Sequence, residues 1–289
     1  MLSVILDIAI NGFIMGGIYA LIAVGLSLQY GVGRVLNVAH GEFIMLGAFS
    51  TWSLYTVFGI SPLVSLVICG PVLFIVGFFI HRTLFQYLRN KAESIGAFID
   101  NSLLASFGLL FIIQNLALLV WKADIRGYSY LDTSVNIFDA IFALNRLVAL
   151  FFAVAISLAF YFFLTRTRLG KAVRASAEDP ATAQAMGVNI HRVLGICFGL
   201  GALMAGFAGV LISMMFEMQP TMGLEYTIIA IIVVVLGGLG SITGSLVGGF
   251  ILGIIGSIVT YLDPGLSLIA YYVIFMLLLL VKPTGIFGK

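Results

Sequence analysis

The sequence predicts an all-α, polytopic membrane helix bundle of about eight to nine transmembrane segments, two of them broken. Three observations carry this prediction. The 289 residues are 62% hydrophobic and only 9% charged, with a mean hydropathy of +1.18, far from the roughly half-apolar, quarter-charged balance of a soluble domain. Long stretches hold no Asp, Glu, Lys, Arg or His: 43–80, 101–121, 147–165, 193–216, 226–262 and 264–281. These runs are apolar on every side and suit helices, which need about 20 residues to cross a bilayer core. Barrel strands are about 10 residues of alternating polarity.

In chain order, Ile8 to Gly33 forms the first segment. Asp7 precedes it in place of a basic flank and no small-residue cleavage site follows, so a retained helix is expected rather than a signal peptide. The run 43–80 is long enough for two crossings around a turn at Gly59-Ile60-Ser61-Pro62. The expected crossings are 8–30, 37–58, 61–81, 101–121, 146–165, 192–216, a short one at 225–240, then 242–262 and 265–281, all within one domain, 1–289. An even count of eight leaves one segment re-entrant.

Charge supplies an orientation. Arg82, Arg89 and Lys91 fall in one connection, Arg166, Arg168, Lys171, Arg174 and Arg192 in another, and Lys282 and Lys289 near the end. The alternate connections hold Asp124, Asp132, Asp139, Glu217, Glu225 and Asp263 against Lys122, Arg126 and Arg146. The positive-inside rule puts the basic connections and the C-terminus in the cytoplasm. On the outer side Glu217 and Glu225 are expected as solvated loop acids, and Trp52, Tyr55, Trp121, Tyr128 and Tyr130 as an interfacial aromatic belt. His81 and His191 adjoin the basic connections and are expected at the interface. Cys69 and Cys197 lie in apolar runs and imply neither a disulfide framework nor a metal site.

Two crossings look interrupted. Gly31, Gly33, Arg34, Asn37, His40, Gly41 and Glu42 break the first, and Gly237-Gly238-Leu239-Gly240-Ser241 breaks the run 226–262. Non-helical backbone at membrane depth must be buried in protein or face a water-filled cavity. One break in each half suits a transporter with discontinuous helices, which makes Asn37, His40, Gly41, Glu42, Gly237, Gly238, Gly240 and Ser241 candidates for a translocation path. The alternative is that both breaks are surface loops, with His40 and Glu42 at the cytoplasmic face and Arg34 paired to Glu42. Small residues at four-residue spacing, such as Gly12 and Gly16 or Gly249 and Gly253, predict close helix packing.

The connection 166–191 is the most informative segment. Within it, Ala177-Glu178-Asp179-Pro180-Ala181-Thr182-Ala183-Gln184-Ala185-Met186-Gly187 reads as a short helix, with Asp179 as N-cap, Pro180 at the first position and Gly187 as the stop. So short a helix is unstable alone and must dock. Its small side chains and Met186 suit a groove on a cytoplasmic partner.

This segment resembles the coupling helix by which permeases of ATP-binding cassette (ABC) importers engage their ATPases. Asn37-Val38-Ala39-His40-Gly41-Glu42 with Leu46-Gly47-Ala48, the run Leu236 to Ile242, and the ending Lys282-Pro283-Thr284-Gly285-Ile286 narrow the match. Together they are similar to the LivH-type permeases of branched-chain amino-acid ABC transporters, over essentially the whole chain. Val38 departs from the bulkier residue common there.

The resemblance implies a permease subunit of an ATP-driven, binding-protein-dependent importer in the bacterial inner membrane, with Ala177, Glu178, Asp179, Pro180, Ala183, Met186 and Gly187 coupling it to the ATPases. The implied partners are a second homologous permease, two ATPase subunits, an extracytoplasmic substrate-binding protein and the lipid bilayer, with no nucleic acid. Gly170-Lys171 is followed by Ala172 and lacks the upstream glycine of a phosphate loop. ATP and Mg therefore fall to the partner ATPases, and no cofactor, metal or catalytic residue is expected in this chain. Branched-chain or other hydrophobic amino acids are the implied cargo, with urea, short amides and small carboxylates as the family's alternatives. A proton-coupled secondary transporter would need an embedded carboxylate relay, for which the spans offer only His40 and Glu42.

Overall fold

A computed structural model of the chain describes residues 2–137, 140–282 and 284–287. Asp139, Pro283 and Lys289, named above, lie outside them. The helices are α1 (Leu2–Gly33), α2 (His40–Phe58), α3 (Pro62–Ile80), α4 (Gln86–Lys91), α5 (Ile95–Trp121), α6 (Leu144–Arg166), α7 (Arg168–Glu178), α8 (Pro180–Ala185), α9 (Ile190–Ser213), α10 (Met222–Gly237), α11 (Ile242–Leu262) and α12 (Ser267–Val281). A π turn, His81–Phe85, joins α3 to α4 without interruption. Seven stretches among the described residues are long and apolar enough to cross a membrane, and α10 is a shorter apolar helix. With α2, the bundle matches the sequence expectation of eight or nine segments.

Local chemistry sets the ends. Gly59 takes a left-handed φ of 68° and closes α2, and Pro62 opens α3 two residues beyond Ile60. The Ser94 side chain accepts from the Ala97 N–H at the start of α5, and Ser241 accepts from Gly244 at the start of α11. The connection between α5 and α6 adds two short antiparallel strands, β1 (Ser134–Ile137) and β2 (Ala140–Ala143), with Val135 opposite Phe142. They lie outside the apolar runs and left no mark on the membrane pattern.

The centre of the bundle is α9, packed against α1, α2 and α3. Lipid tails are as apolar as the side chains, so close backbone approach has to supply the attraction. Gly253 of α11 lies against the backbone of Gly16, and Gly249 against that of Ala20, so the four-residue spacing does mark the α1–α11 seam. Gly195 and Gly199 admit the rings of Phe78 and Phe74 in the same way.

The expected aromatic belt forms a packed cluster at one end. Trp121 Nε1 donates to Ser53 Oγ at 2.8 Å, the Tyr55 and Tyr128 rings lie 4.8 Å apart, and the Tyr128 and Ser213 hydroxyls meet at 2.9 Å. Arg126 and Met218 exchange backbone hydrogen bonds of 2.9 and 2.8 Å across the same end. His81, expected at the interface beside the basic connection, is 4% exposed and packs between Phe85 and Phe198.

Candidate functional site

Five places hold the chemistry: an elbow at the basic end of the bundle, a joint deep inside it, a glycine turn and two cavities. The elbow is α7 and α8. The sequence expectation of one helix from Ala177 to Gly187 needs correction, because Ala177 and Glu178 complete α7 and the short helix starts after Asp179. Asp179 interrupts the helix because its side chain competes for backbone donors. Its carboxylate accepts from the Ala181 N–H at 2.9 Å, the Thr182 N–H at 3.2 Å and the Thr182 hydroxyl. The Thr182 donors, hydroxyl first, hold the Asp179 carboxyl below its ordinary range. Pro180 occupies the first turn of α8, and Gly187 at φ 87° ends it. Ala183 is buried, whereas Met186 is 81% exposed. Gly170, Val173 and Ser176 form the buried side of α7, and Arg174 donates to the Thr165 carbonyl at 3.3 Å.

The joint is the first sequence break. His40 Nε2 lies 3.1 Å from the carbonyl of Ile22, and Ile22 to Gly33 is about 16 Å of helix. The segment after Gly33 therefore climbs back into the bundle before α2 begins. Asn37, His40 and Glu42 are all 0% exposed, which overturns the surface-loop alternative for this first break, with Arg34 paired to Glu42. Arg34 instead lies over the Tyr30 ring at 5.9 Å. Asn37 donates to Gln29 Oε1 at 3.3 Å and accepts from the Ala39 N–H at 3.1 Å.

A second helix starts at the same depth. Gly41 and Gly223 touch so closely that a Cβ on either would overlap the other's carbonyl or the Glu42 carboxyl. Thr227 links the two elements: its hydroxyl donates to the Val38 carbonyl at 3.0 Å and accepts from the Gly41 N–H at 2.8 Å. Two helix N-termini, of α2 and α10, thus converge on Glu42, whose carboxyl oxygens both lack a hydrogen-bond partner. The chain reaches Gly223 through 214–221, and α10, expected as a short crossing at 225–240, has 16 residues, about 24 Å; the sequence allowed one re-entrant segment but did not place this re-entry. Pro220 and the polar Gln219 were its only signals.

The second sequence break lies elsewhere. Gly237, Gly238, Gly240 and Ser241 form a turn at the level of Gly31, near the end of α1, with φ 103° at Gly238 and 82° at Gly240. Ile286 and Phe287 donate their N–H groups to the carbonyls of Leu236 and Gly237 and so cap α10. The eight path candidates therefore divide between a buried joint and a turn at the basic end.

Of the candidates, Gly240 borders an open cavity, one of about 610 Å³ between α1, α6, α7 and the start of α11 that Ala177 and Glu178 also line. The other cavity, about 600 Å³, opens at the far end between α1, α6, α10, α11 and α12. Asp7, Arg146 and Glu225 supply its charged groups, and Asn11, Tyr19, Ser257 and Tyr271 are among its uncharged polar ones. Glu225, expected as a solvated loop acid, is exposed as expected but sits in the first turn of α10, where it lines this space. No local pattern marked this convergence, which joins residues from both ends of the chain.

Comparison with known proteins agrees with this architecture. A family described as branched-chain amino acid transport system / permease component matches residues 8–282. The high-affinity branched-chain amino acid transport system permease protein LivH of Salmonella typhimurium is 31% identical, over 96% of this chain and 94% of its own. LivH of Escherichia coli K12 is 32% identical over the same shares. BraD of Pseudomonas aeruginosa, a permease of the same description, is 30% identical over 97% and 94%. With the family matched over residues 8–282 and relatives at 30% identity or more along nearly the whole chain, the chain belongs to the permease-component family of branched-chain amino acid transport systems.

Proposed function

We propose that this chain is the membrane-spanning permease subunit of an ATP-driven, binding-protein-dependent importer for branched-chain and other hydrophobic amino acids. The basic end faces the cytoplasm, the first residues of α1 face outward and the C-terminus faces inward, as the distribution of Lys and Arg favours. The observation that carries the coupling role is the elbow: a capped helix of two turns at the basic end, with Met186 81% exposed beside it. The cargo assignment rests on the names of the full-length relatives.

The assembly consists of this permease, a second homologous permease, two cytoplasmic ATPases that bind ATP and Mg, and an extracytoplasmic binding protein. Closure of the ATPases pushes on α8. The rigid cap at Asp179 passes that displacement to α7, whose buried side rests against α1 and α6. The cavity beside Ala177, Glu178 and Gly240 gives α7 room to move. Two global states follow, biased by ATP on one side and the loaded binding protein on the other.

Reconstitution tests this. Proteoliposomes with the complete complex and internal ATP are expected to accumulate labelled leucine when the loaded binding protein is added. Uptake driven by a proton gradient in vesicles without the ATPases would overturn the ATP-coupled reading, and preference for urea or benzoate would overturn the cargo.

A further inference from the structure

The cavity at the end opposite the elbow carries a pattern that transport in general does not require. It runs from Asp7 to Tyr19 of α1, about 18 Å along the helix, a length about three-fifths of a bilayer core. Its volume of about 600 Å³ suits a small molecule. The walls are mainly apolar, with Ile14, Met15, Ile229 and Leu268 among them. At its floor Tyr19 and Tyr271, both nearly buried, meet hydroxyl to hydroxyl at 3.3 Å.

Into this apolar space project one guanidinium and one carboxylate from different helices. Arg146 comes from the first turn of α6 and Glu225 from the first turn of α10. Among the described residues neither belongs to a salt bridge; Arg146 donates only to Asn11 Oδ1, at 3.3 Å, and lies 6.0 Å from the Phe216 ring. Arg146 is half-buried and Glu225 exposed, so opposite charges line one cavity without pairing and are both free to meet a ligand that carries the complementary pair. Asp7 adds a second carboxylate at the rim and favours the cationic group of an incoming zwitterion.

We propose that this cavity binds a free amino-acid zwitterion with an apolar side chain during its passage. Arg146 receives the α-carboxylate, Glu225 receives the α-ammonium, and the side chain lies on Ile14, Met15 and Ile229. The tyrosine pair closes the floor. This assignment rests on the amino-acid import reading and adds the residues that recognise the cargo within the membrane. A zwitterionic lipid headgroup offers the same two charges, so the test separates the two sources.

The test uses the complete complex in phosphatidylglycerol nanodiscs, with Leu268→Cys as a reporter at the cavity wall. Leu268 is 40% exposed, and the native Cys69 and Cys197 are buried. Leucine at ten times its dissociation constant should slow modification by a small methanethiosulfonate roughly tenfold. Isoamylamine, which lacks the carboxylate, and 4-methylpentanoate, which lacks the ammonium, should each bind about tenfold to a hundredfold more weakly and so slow modification about twofold or less at equal concentration. Glu225→Gln should weaken protection by leucine but not by 4-methylpentanoate, and Arg146→Gln should weaken leucine but not isoamylamine.

Equal protection by all three compounds would overturn the proposal without any charge variant being needed. So would protection that appears only when phosphatidylethanolamine replaces phosphatidylglycerol. Leucine uptake by the parent complex with no leucine protection of the cysteine removes the cavity but leaves the import reading standing. Uptake of urea or benzoate in place of leucine removes both.

Discussion

Tyr19 and Tyr271 stand 252 positions apart in the chain, yet their hydroxyls meet at 3.3 Å with the rings nearly perpendicular, at 87°. The contact exists because α11 has no side chain at Gly256, where a Cβ would overlap the Tyr271 hydroxyl. Gly256→Ala should therefore drive Tyr271 away from Tyr19 and destabilise the chain by about 1–3 kcal/mol, the usual cost of overpacking. Adding Tyr271→Phe removes the overlapping oxygen, so the double variant should melt above the sum of the two single changes. Thermal unfolding of the purified complex measures both, and strict additivity would deny that the two residues touch.

Thr227 holds the joint through one donor and one acceptor bond. Thr227→Val keeps the shape and leaves the Gly41 N–H and Val38 carbonyl unpaired in a buried site, at about 1–3 kcal/mol for each orphaned group. Thr227→Ser keeps the hydroxyl and should retain most of the stability. Equal melting temperatures for the two variants would show that the bonds do not stabilise the joint.

Glu42 presents a balance that magnitudes decide. Two helix N-termini favour its anion by about 0.3–1 kcal/mol each, while an unpartnered buried carboxyl costs about 1–3 kcal/mol or more. The cost wins, so Glu42→Met should raise the melting temperature of the complex. Leucine uptake should fall at the same time, because a polar group kept at a cost to stability is commonly kept for function. A more stable variant with undiminished uptake would leave Glu42 without a transport role.

Asp179 is a cap whose charge has a predictable pH range. Its carboxyl lies below the ordinary value in the folded elbow, so its contribution is complete above the unfolded value and is lost only as pH falls through the lower folded value. Binding-protein-stimulated ATP hydrolysis should thus keep its dependence on Asp179 between neutral pH and about pH 5. Asp179→Ala should uncouple hydrolysis from leucine uptake throughout that range. Asp179→Asn, which retains an acceptor for the cap, should recover most of the coupling.

The parts of this fold that were legible in the sequence are those governed by local rules. Uncharged runs marked the long helices, Asp179 with Pro180 and Gly187 marked the start and stop of α8, and glycines four apart marked the α1–α11 seam. Depth was not legible. His40 and Glu42 follow Arg34 closely in sequence and suggested an interface, because chain position does not reveal a segment that turns back into the bundle. Ala177 and Glu178 were assigned to α8 because helical propensity is continuous across Asp179, and only the side-chain cap divides it. Arg146 and Glu225 looked like unrelated outer charges, and only the packing of α1, α6, α10, α11 and α12 brings them to one cavity.

The meeting of Gly41 and Gly223 has a mechanical consequence. Neither α2 nor α10 continues through that depth, so the wall there is a seam between two rod tips rather than an unbroken rod. Sliding one tip past the other disturbs the two bonds of Thr227 and leaves both helical ladders intact. A bundle with such a seam can change its bore without unwinding a single turn.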